Sequence, residues 1–328
     1  MDAARAEQVI QSFQQITRII HTGEVGELKP SATLLEKNIK PSEMPFIRKD
    51  ASGRALFYIV EGKAGVDIGQ PERVVVSRKS TVGEMSLVST MLNTFDNLGA
   101  IDSRNADVYC EEPLRVIVFN YSPVVEILQD PNPEFRRYRQ QILVCLNRII
   151  FKKLITVDKN YIDVLTSMDL ENEVEQLEYP SRFVENLNVF LKKMRNIPNM
   201  RISPHDIRGV LIRENQANDS LIFLEKGMVK ISKTVVVGDE EESEERERVD
   251  LSIMAAPVVV GDCSILNVGA ISSNQIEVIE NGTGYRIAVQ NLLRHFQRYP
   301  EMLENLFKII LELNYFRTSD MMARTVNL

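Results

Sequence analysis

Two short segments of the sequence carry residue types that suit a buried anion. Gly83 lets a backbone approach a ligand closely, and the residues after it can open a short helix whose N–H groups face a negative charge. Arg104 offers a planar set of donors to phosphate oxygens, and Asn105 adds a donor beside it. Glu84 can accept from a sugar hydroxyl, and Ala106 is small enough for close packing. The alternative is a simple β-turn at Gly83 and a surface arginine.

Cysteine and histidine are too few and too scattered to suggest catalysis or metal binding. Cys110, Cys145 and Cys263 form no C-x-x-C pair and no disulfide framework, which favours buried thiols in a reducing compartment. The three histidines show no spacing typical of metal ligands. No Ser-His-Asp or Cys-His arrangement can be assembled. The sequence therefore predicts a protein that is not an enzyme and has neither a cofactor nor a metal.

Length and composition are those of an ordinary globular protein. The chain has 328 residues, of which 44% are hydrophobic and 26% charged, and such a length suits about two domains. Its formal charge of -7 gives no global attraction to nucleic acid. The N-terminus lacks the apolar core of a signal peptide, and the longest apolar run, 253–260, is interrupted by Pro257. We therefore expect a cytoplasmic protein without membrane spans.

An internal repeat defines the organisation of the chain. Residues 46–62 align without a gap to residues 211–227, at an offset of 165 (212 − 47). Identical residues fall at Ile47 and Ile212, Arg48 and Arg213, Leu56 and Leu221, and Gly62 and Gly227. Both segments predict a strand, a polar turn, a second strand and a tight glycine turn into a further strand. The two expected domains are therefore copies of one another.

The repeat continues after an insertion in the second copy. Gly83-Glu84 corresponds to Gly261-Asp262, and the offset there is 178 (261 − 83), so the second copy is 13 residues longer. The extra length falls in the acidic segment 239–248, which predicts an exposed hairpin loop, with an acidic docking site as the alternative. Each copy then ends in a closing strand, 116–119 or 285–289, and helices with starts at Pro133 and Pro300.

Helical periodicity in residues 161–194 predicts a linker between the copies, and a weaker helical pattern covers residues 4–20. We expect three parts: a first domain over 1–156, a helical linker over 157–200 and a second domain over 201–328. The fold class expected from these patterns is mainly β with flanking helices.

Three ordered landmarks in the first copy resemble the cyclic nucleotide-binding domain family. They are the strand pair 57–62, the Gly-Glu-x-x-Leu turn at 83–87 and the Arg-x-Ala-x-Val segment at 104–108. The resemblance spans nearly the whole chain and implies two tandem jelly-roll-like β-rolls. It also implies that the ligand is a cyclic nucleotide, cAMP or cGMP, held by a phosphate-binding cassette. The residues that it assigns to ligand binding are Gly83, Glu84, Met85, Arg104, Asn105 and Ala106.

The sequence also departs from the family pattern. Gly83 and Arg104 are 21 positions apart, about twice the usual spacing, and Ser103 replaces a common proline. The intervening segment, with Met91, Leu92 and Phe95, forms either a longer lid helix or a plug in the pocket. In the second copy the arginine position falls among residues 271–274, none of which is cationic. A buried phosphate would lack its charge partner there, so the second copy is predicted to be degenerate.

The predicted function is therefore regulation in response to a cyclic nucleotide bound in the first domain. Ligand would move the helices after the first roll and so signal to an unidentified protein effector, and the second copy would serve protein contacts or homodimer formation. The alternative is a ligand-free scaffold of tandem rolls. Arginines and lysines in 136–153 make a basic helix, but a solvated helix face explains them better than DNA binding.

Overall fold

The computed structural model describes residues 1–51, 53–69, 72–96, 104, 106–168, 172, 174–197, 200, 204–237 and 245–327. The chain divides into two compact units, Met1–Lys152 and Lys153–Leu328. Residues 157–200, expected as a separate linker, fall within the second unit, and the three-part division of the chain stays a prediction. Among the described residues, no helix is both long and apolar enough to cross a membrane.

The first unit is a β-roll flanked by helices. Its elements are α1 (Ala3–Thr22), β1 (Leu34–Ile39), β2 (Ala55–Glu61), β3 (Ala64–Asp67), β4 (Val74–Val76), β5 (Thr81–Val82), α2 (Glu84–Phe95), β6 (Asp107–Cys110), β7 (Leu114–Asn120), α3 (Ser122–Gln129) and α4 (Arg136–Met168), which ends in the second unit. Within the described residues, two antiparallel sheets have the strand orders β1-β7-β2-β5 and β4-β3-β6.

Strand β2 shows how the sequence builds the roll. Its β-branched and aromatic residues favour a strand, in which successive side chains point to opposite faces. Ile59 belongs to the core cluster inside the roll, and Ala55 and Phe57 pack against that cluster while remaining half-buried. Leu56 and Tyr58 are buried on the opposite face. Helix α2 packs against β2 and against α3, so the strand has an apolar neighbour on both sides.

Helix α1 packs against α3 and β7 of the first unit. Asp2 caps its N-terminus by accepting a hydrogen bond from the backbone N–H of Arg5, and Gly23 ends it in the left-handed conformation. The buried face includes Phe13, whose ring stacks on that of Phe119 in β7 with a centroid distance of 5.0 Å. The helix predicted over residues 4–20 is therefore present and packs on the roll.

The second unit repeats this plan with longer strands. Its elements are β8 (Gln176–Leu177), α5 (Ser181–Arg195), β9 (His205–Ile207), β10 (Val210–Ile212), β11 (Ser220–Val237), β12 (Glu245–Ala255), β13 (Val258–Val260), α6 (Cys263–Leu266), β14 (Gln275–Ala288), α7 (Val289–Phe296) and α8 (Pro300–Asn327). In the described residues the main sheet has the order β10-β14-β11-β12-β8, while β13 pairs with β11 and β9 with β14. The fold class predicted from the sequence, mainly β with flanking helices in two tandem rolls, is confirmed: helices flank the sheets in both units, and the described strand pairs are antiparallel except β8 with β12.

Several details differ from the sequence prediction. Gly227 has a positive φ of 97° as expected of a turn residue, but β11 continues through it with register shifts instead of ending there. Residues 245–248 of the acidic segment lie in β12, paired with the end of β11, and are not loop; residues 239–244 lie outside the described residues. The predicted helix over 161–194 is interrupted, because α4 ends at Met168 and α5 begins at Ser181.

Candidate anion-binding site

Gly83 stands at the start of α2 in a conformation that only glycine adopts easily. It is the N-cap residue with φ 95°, and its carbonyl accepts the first helical hydrogen bond, from the N–H of Leu87 at 3.0 Å. A Cβ at this position would lie 3.0 Å from the carbonyl oxygen of Ala55 and would overlap Nη1 of Arg104. The glycine is therefore required both by its backbone angle and by its neighbours.

Arg104 lies between two glycines although it is 21 positions away from Gly83 in sequence. Its side chain is buried, with 5% of its surface exposed, and Nη2 donates to the carbonyl oxygen of Ala55 at 2.6 Å. A Cβ on Gly53 would lie 3.2 Å from both Nε and Nη2 of the arginine. The structure thus brings the predicted cation to the N-terminal end of α2, where the helix dipole also favours an anion.

Backbone hydrogen bonds fix the position of Arg104. The N–H of Asp50, which has a left-handed φ of 58°, donates to the carbonyl of Arg104 at 2.9 Å. The N–H of Lys49 donates to the carboxylate of Asp107 at 2.6 Å. On the other side, Tyr121 donates from its hydroxyl to the carbonyl of Gly53 at 2.9 Å. The segment before β2 therefore holds the backbone of Arg104, and Tyr121, the residue before α3, holds Gly53 beside it.

The remaining predicted ligand residues take different positions. Glu84, the first residue of α2, is 3% exposed and lies beside Gly83. Met85 follows it and is half-buried. Ala106 is half-buried immediately before β6, whereas Asn105 lies outside the described residues. Sequence reasoning missed Ala55, whose carbonyl binds the arginine, Gly53, which leaves space beside it, and Tyr121, which binds the Gly53 carbonyl; their residue types gave no chemical signal.

Helix α2 is the segment that was expected to be either a lid or a plug. Leu87, Val88 and Met91 are fully buried, but no residue of α2 belongs to the apolar cluster inside the roll. The helix packs against α3 and β2 instead. Inside the roll, the half-buried side chains of Ala55 and Phe57 pack on the core cluster. The apolar face of α2 is therefore used for helix packing.

The second copy has the same turn, but none of residues 271–274, where the arginine position falls, is cationic. Gly261 adopts φ 86° and Asp262 precedes the short helix α6. The Asp262 carboxylate is buried and accepts a hydrogen bond from Nδ2 of Asn314 in α8 at 2.7 Å. Burial raises the pKa of the adjacent Cys263 thiol to about 11, and the charge of Asp262 adds to this effect. Among the described residues, no group of His, Cys, Asp and Glu side chains is arranged to hold a metal ion.

No protein-family model and no curated protein matches the chain. Among solved structures, it is similar to the regulatory domain of Toxoplasma gondii PKA with cAMP, at 14% identity and a TM-score of 0.28, over 92% of this chain and 96% of that one. It is also similar to a mutant regulatory subunit of a cAMP-independent protein kinase A from Trypanosoma brucei bound to cAMP in the A site, at 13% identity and a TM-score of 0.27, over 94% and 92%.

A cyclic nucleotide-binding domain from Methylobacillus flagellatus matches over 52% of this chain and 84% of that one, at 14% identity and a TM-score of 0.33. These matches name the class of fold that the sequence motifs resemble.

Proposed function

We propose that this chain is a non-enzymatic regulatory protein that binds a cyclic nucleotide, cAMP or cGMP, in its first roll. The observation that carries the proposal is the buried guanidinium of Arg104 placed at the N-terminal end of α2 and over Gly83. A buried positive charge and a helix N-terminus both stabilise an anion at the same point. Such a site suits a phosphate monoanion.

The surroundings of the arginine favour a nucleotide over a free phosphate. The half-buried Ala55 and Phe57 inside the roll provide apolar surface for a base. The Glu84 carboxylate, next to Gly83, is suited to accept a hydrogen bond from a ribose hydroxyl. The proposed ligand residues are thus Gly83, Glu84, Met85, Arg104, Asn105 and Ala106. Ligand contact at α2 would reach α3, against which α2 packs.

The proposed output is a movement of the helices after the first roll that a protein effector reads. Such a response requires that the nucleotide bind two arrangements of α3 and the start of α4 with different affinities. Homodimer formation through the second unit is part of the proposal, and the mass of the protein in solution measures it. The three free thiols fit our expectation of a cytoplasmic location.

Isothermal titration with cAMP and with cGMP tests the proposal. We expect the full chain to bind one nucleotide per chain, and Arg104→Ala to abolish the heat of binding. The matched control is Arg115→Ala, because Arg115 lies on β7 of the same roll and pairs with the exposed Glu36 and Glu61. Unchanged affinity in the Arg104→Ala protein would remove the assignment, provided that its circular dichroism matches the wild type.

A ligand-free scaffold is the second candidate, and the second unit favours it. There the carboxylate that corresponds to Glu84 is bound by Asn314 of the same unit. If neither nucleotide, at millimolar concentration, raises the melting temperature of the full chain, the scaffold function replaces the first proposal; micromolar binding would stabilise the folded state by about 4 kcal/mol under those conditions.

A further inference from the structure

We propose that the residue at position 53 of the first roll, and at 218 of the second, decides which roll can hold a cation. In the second roll the amide of Asn218 occupies the place that the guanidinium of Arg104 occupies in the first. In the second roll the side chain of Asn218 therefore fills the space beside Gly261, in addition to the lack of an arginine at the corresponding position. This inference deepens the proposed function and rests on it only for the nature of the ligand.

Backbone hydrogen bonds identify the position that corresponds to Arg104. The N–H of Asp50 donates to the carbonyl of Arg104 at 2.9 Å, and the N–H of Asn215 donates to the carbonyl of Ser272 at 2.8 Å. Asp50 and Asn215 are 165 positions apart, as in the repeat, and both have a left-handed φ, 58° and 59°. Ser272 is thus the counterpart of Arg104, which narrows the range 271–274 to one residue.

The two glycine turns then meet different neighbours. In the first roll a Cβ on Gly83 would overlap Arg104, whose Nη2 donates to the carbonyl of Ala55 at 2.6 Å. Gly53 leaves room for this arrangement: a Cβ there would already lie 3.2 Å from Nε and Nη2, so the guanidinium would have to shift by a few tenths of an ångström even for alanine. Real Cβ contacts are seldom that short, so a larger side chain at position 53 would displace the guanidinium.

In the second roll the same space belongs to Asn218. A Cβ on Gly261 would lie 2.9 Å from Nδ2 of Asn218 and 2.5 Å from the carbonyl oxygen of Ser220, the counterpart of Ala55. Nδ2 of Asn218 donates to that carbonyl at 2.8 Å, as the arginine does in the first roll. Nδ2 of Asn218 also donates to Oγ of Ser264 at 2.6 Å. The Ser264 hydroxyl in turn donates to the main-chain carbonyl of Asn218 at 3.0 Å.

These contacts make the closure stable. Asn218 is 8% exposed, and its amide satisfies a buried carbonyl without introducing charge. The hydroxyl of Ser272 donates to the main-chain carbonyl of Asn274, two residues further along the chain, at 2.7 Å. The guanidinium of an arginine introduced at position 272 would overlap the Asn218 amide in the space over Gly261. Restoring a cation in the second roll should therefore require two changes, one at 272 and one at 218.

A double-mutant cycle in the full chain tests this coupling without any ligand. We expect Ser272→Arg alone to lower the melting temperature of the second unit by several degrees. In the Asn218→Gly background the same substitution should lower it clearly less, since the guanidinium can then reach the carbonyl of Ser220. Equal shifts in the two backgrounds, within error, would overturn the inference.

Nucleotide titration of the same proteins separates the inference from the proposed function. The Ser272→Arg/Asn218→Gly protein is expected to bind cAMP or cGMP at one more site per chain than the wild type, and neither single variant is. If the wild type binds no nucleotide while the thermal coupling is present, the proposed function fails and the inference stands. If wild-type binding is present and the coupling is absent, the inference alone fails.

The reciprocal change in the first roll covers the case in which Ser272→Arg does not fold. Gly53→Asn should expel the guanidinium of Arg104, so phenylglyoxal should modify Arg104 several-fold faster than in the wild type, as read by peptide mass spectrometry. The control Gly53→Ala adds only the Cβ and should change the rate less. Equal protection of Arg104 in Gly53→Asn and wild type would contradict the inference.

Discussion

Nη1 of Arg104 lies so close over Gly83 that a Cβ on this glycine would overlap it. Because Gly83 is the N-cap residue of α2, this contact places the guanidinium at the start of the helix. Although Gly83 and Arg104 are 21 positions apart in sequence, the hydrogen bond from the N–H of Asp50 to the carbonyl of Arg104 holds the arginine beside the glycine. The positive charge and the helix start therefore act on one point.

Gly83→Ala is expected to lower both stability and nucleotide binding. The new methyl group would meet the carbonyl of Ala55 at 3.0 Å and the guanidinium of Arg104, and the φ of 95° is strained for alanine. Strain of this kind costs about 1–3 kcal/mol, and each kcal/mol lowers the melting temperature by roughly 2–4 °C in a domain of this size. Differential scanning calorimetry measures the shift.

Gly69→Ala is the matched control for that experiment. Gly69 also has a positive φ, 87°, but a Cβ there would meet nothing within 4 Å. It therefore reports the cost of the backbone angle alone, and we expect it to leave nucleotide affinity unchanged. If both alanine variants melt at the same temperature, the crowding around Gly83 contributes nothing to stability.

Much of the fold follows from the repeat in the sequence, because the offset of 165 fixes which positions are equivalent. Ile47 bridges to Val108 in the first roll, and Ile212, its counterpart at that offset, pairs with Ile276 in the second. The sequence itself gives the arginine at 104 and the lack of a cationic residue among 271–274, since both depend only on residue type. These predictions need no knowledge of side-chain direction.

The closure of the second roll could not be predicted in the same way. Asn218 lies in a polar turn, where asparagine is common for reasons of backbone geometry alone. Only the three-dimensional structure shows that its amide reaches the Ser220 carbonyl and the space over Gly261. The continuation of β11 through Gly227 was likewise hidden, because a positive φ suits a bulge as well as a turn.

Phe13→Ala should destabilise the first unit strongly. The ring is fully buried and stacks on Phe119 with an interplanar angle of 2°. Removing a buried phenyl ring leaves a cavity and costs about 3–5 kcal/mol. Calorimetry of the full chain should show a lower melting temperature for the first unit. Gln11→Ala, on the exposed face of the same helix, is the control and should shift it little; a small shift for Phe13→Ala as well would mean that α1 adds little to the unit.

The thiols of Cys145 and Cys263 should react slowly with iodoacetamide. Burial raises the pKa of each to about 11, from an ordinary value of 9.0. At pH 8, a thiol with a pKa of about 11 forms about a hundredfold less thiolate than a thiol with a pKa of 9.0. The thiolate is the reacting species. Peptide mass spectrometry of the native chain measures the rates, and labelling in denaturant supplies the reference. Native rates equal to the denatured ones would contradict the burial of these thiols.

The stability of the second unit should depend on the titration of Asp158. This carboxyl is 4% exposed and accepts a hydrogen bond from Asn274 at 3.3 Å. Burial raises its pKa above the ordinary 3.8, and the positive charges of Arg317, Lys233 and Arg324 only partly oppose that shift. The folded state therefore holds this proton more tightly than the unfolded state does, so the contribution to stability is lost as the pH rises through the folded pKa.

Asp158→Asn is the variant that isolates this effect. An asparagine at this position can still accept from Asn274 but carries no charge to bury, so the melting temperature of the second unit should fall less between about pH 4 and pH 8 than in the wild type. Asp163→Asn, at an exposed position of the same helix α4, is the control and should keep the wild-type profile. The interpretation is wrong if the Asp158→Asn and wild-type curves run parallel over that range, because the pH dependence would then arise from other groups.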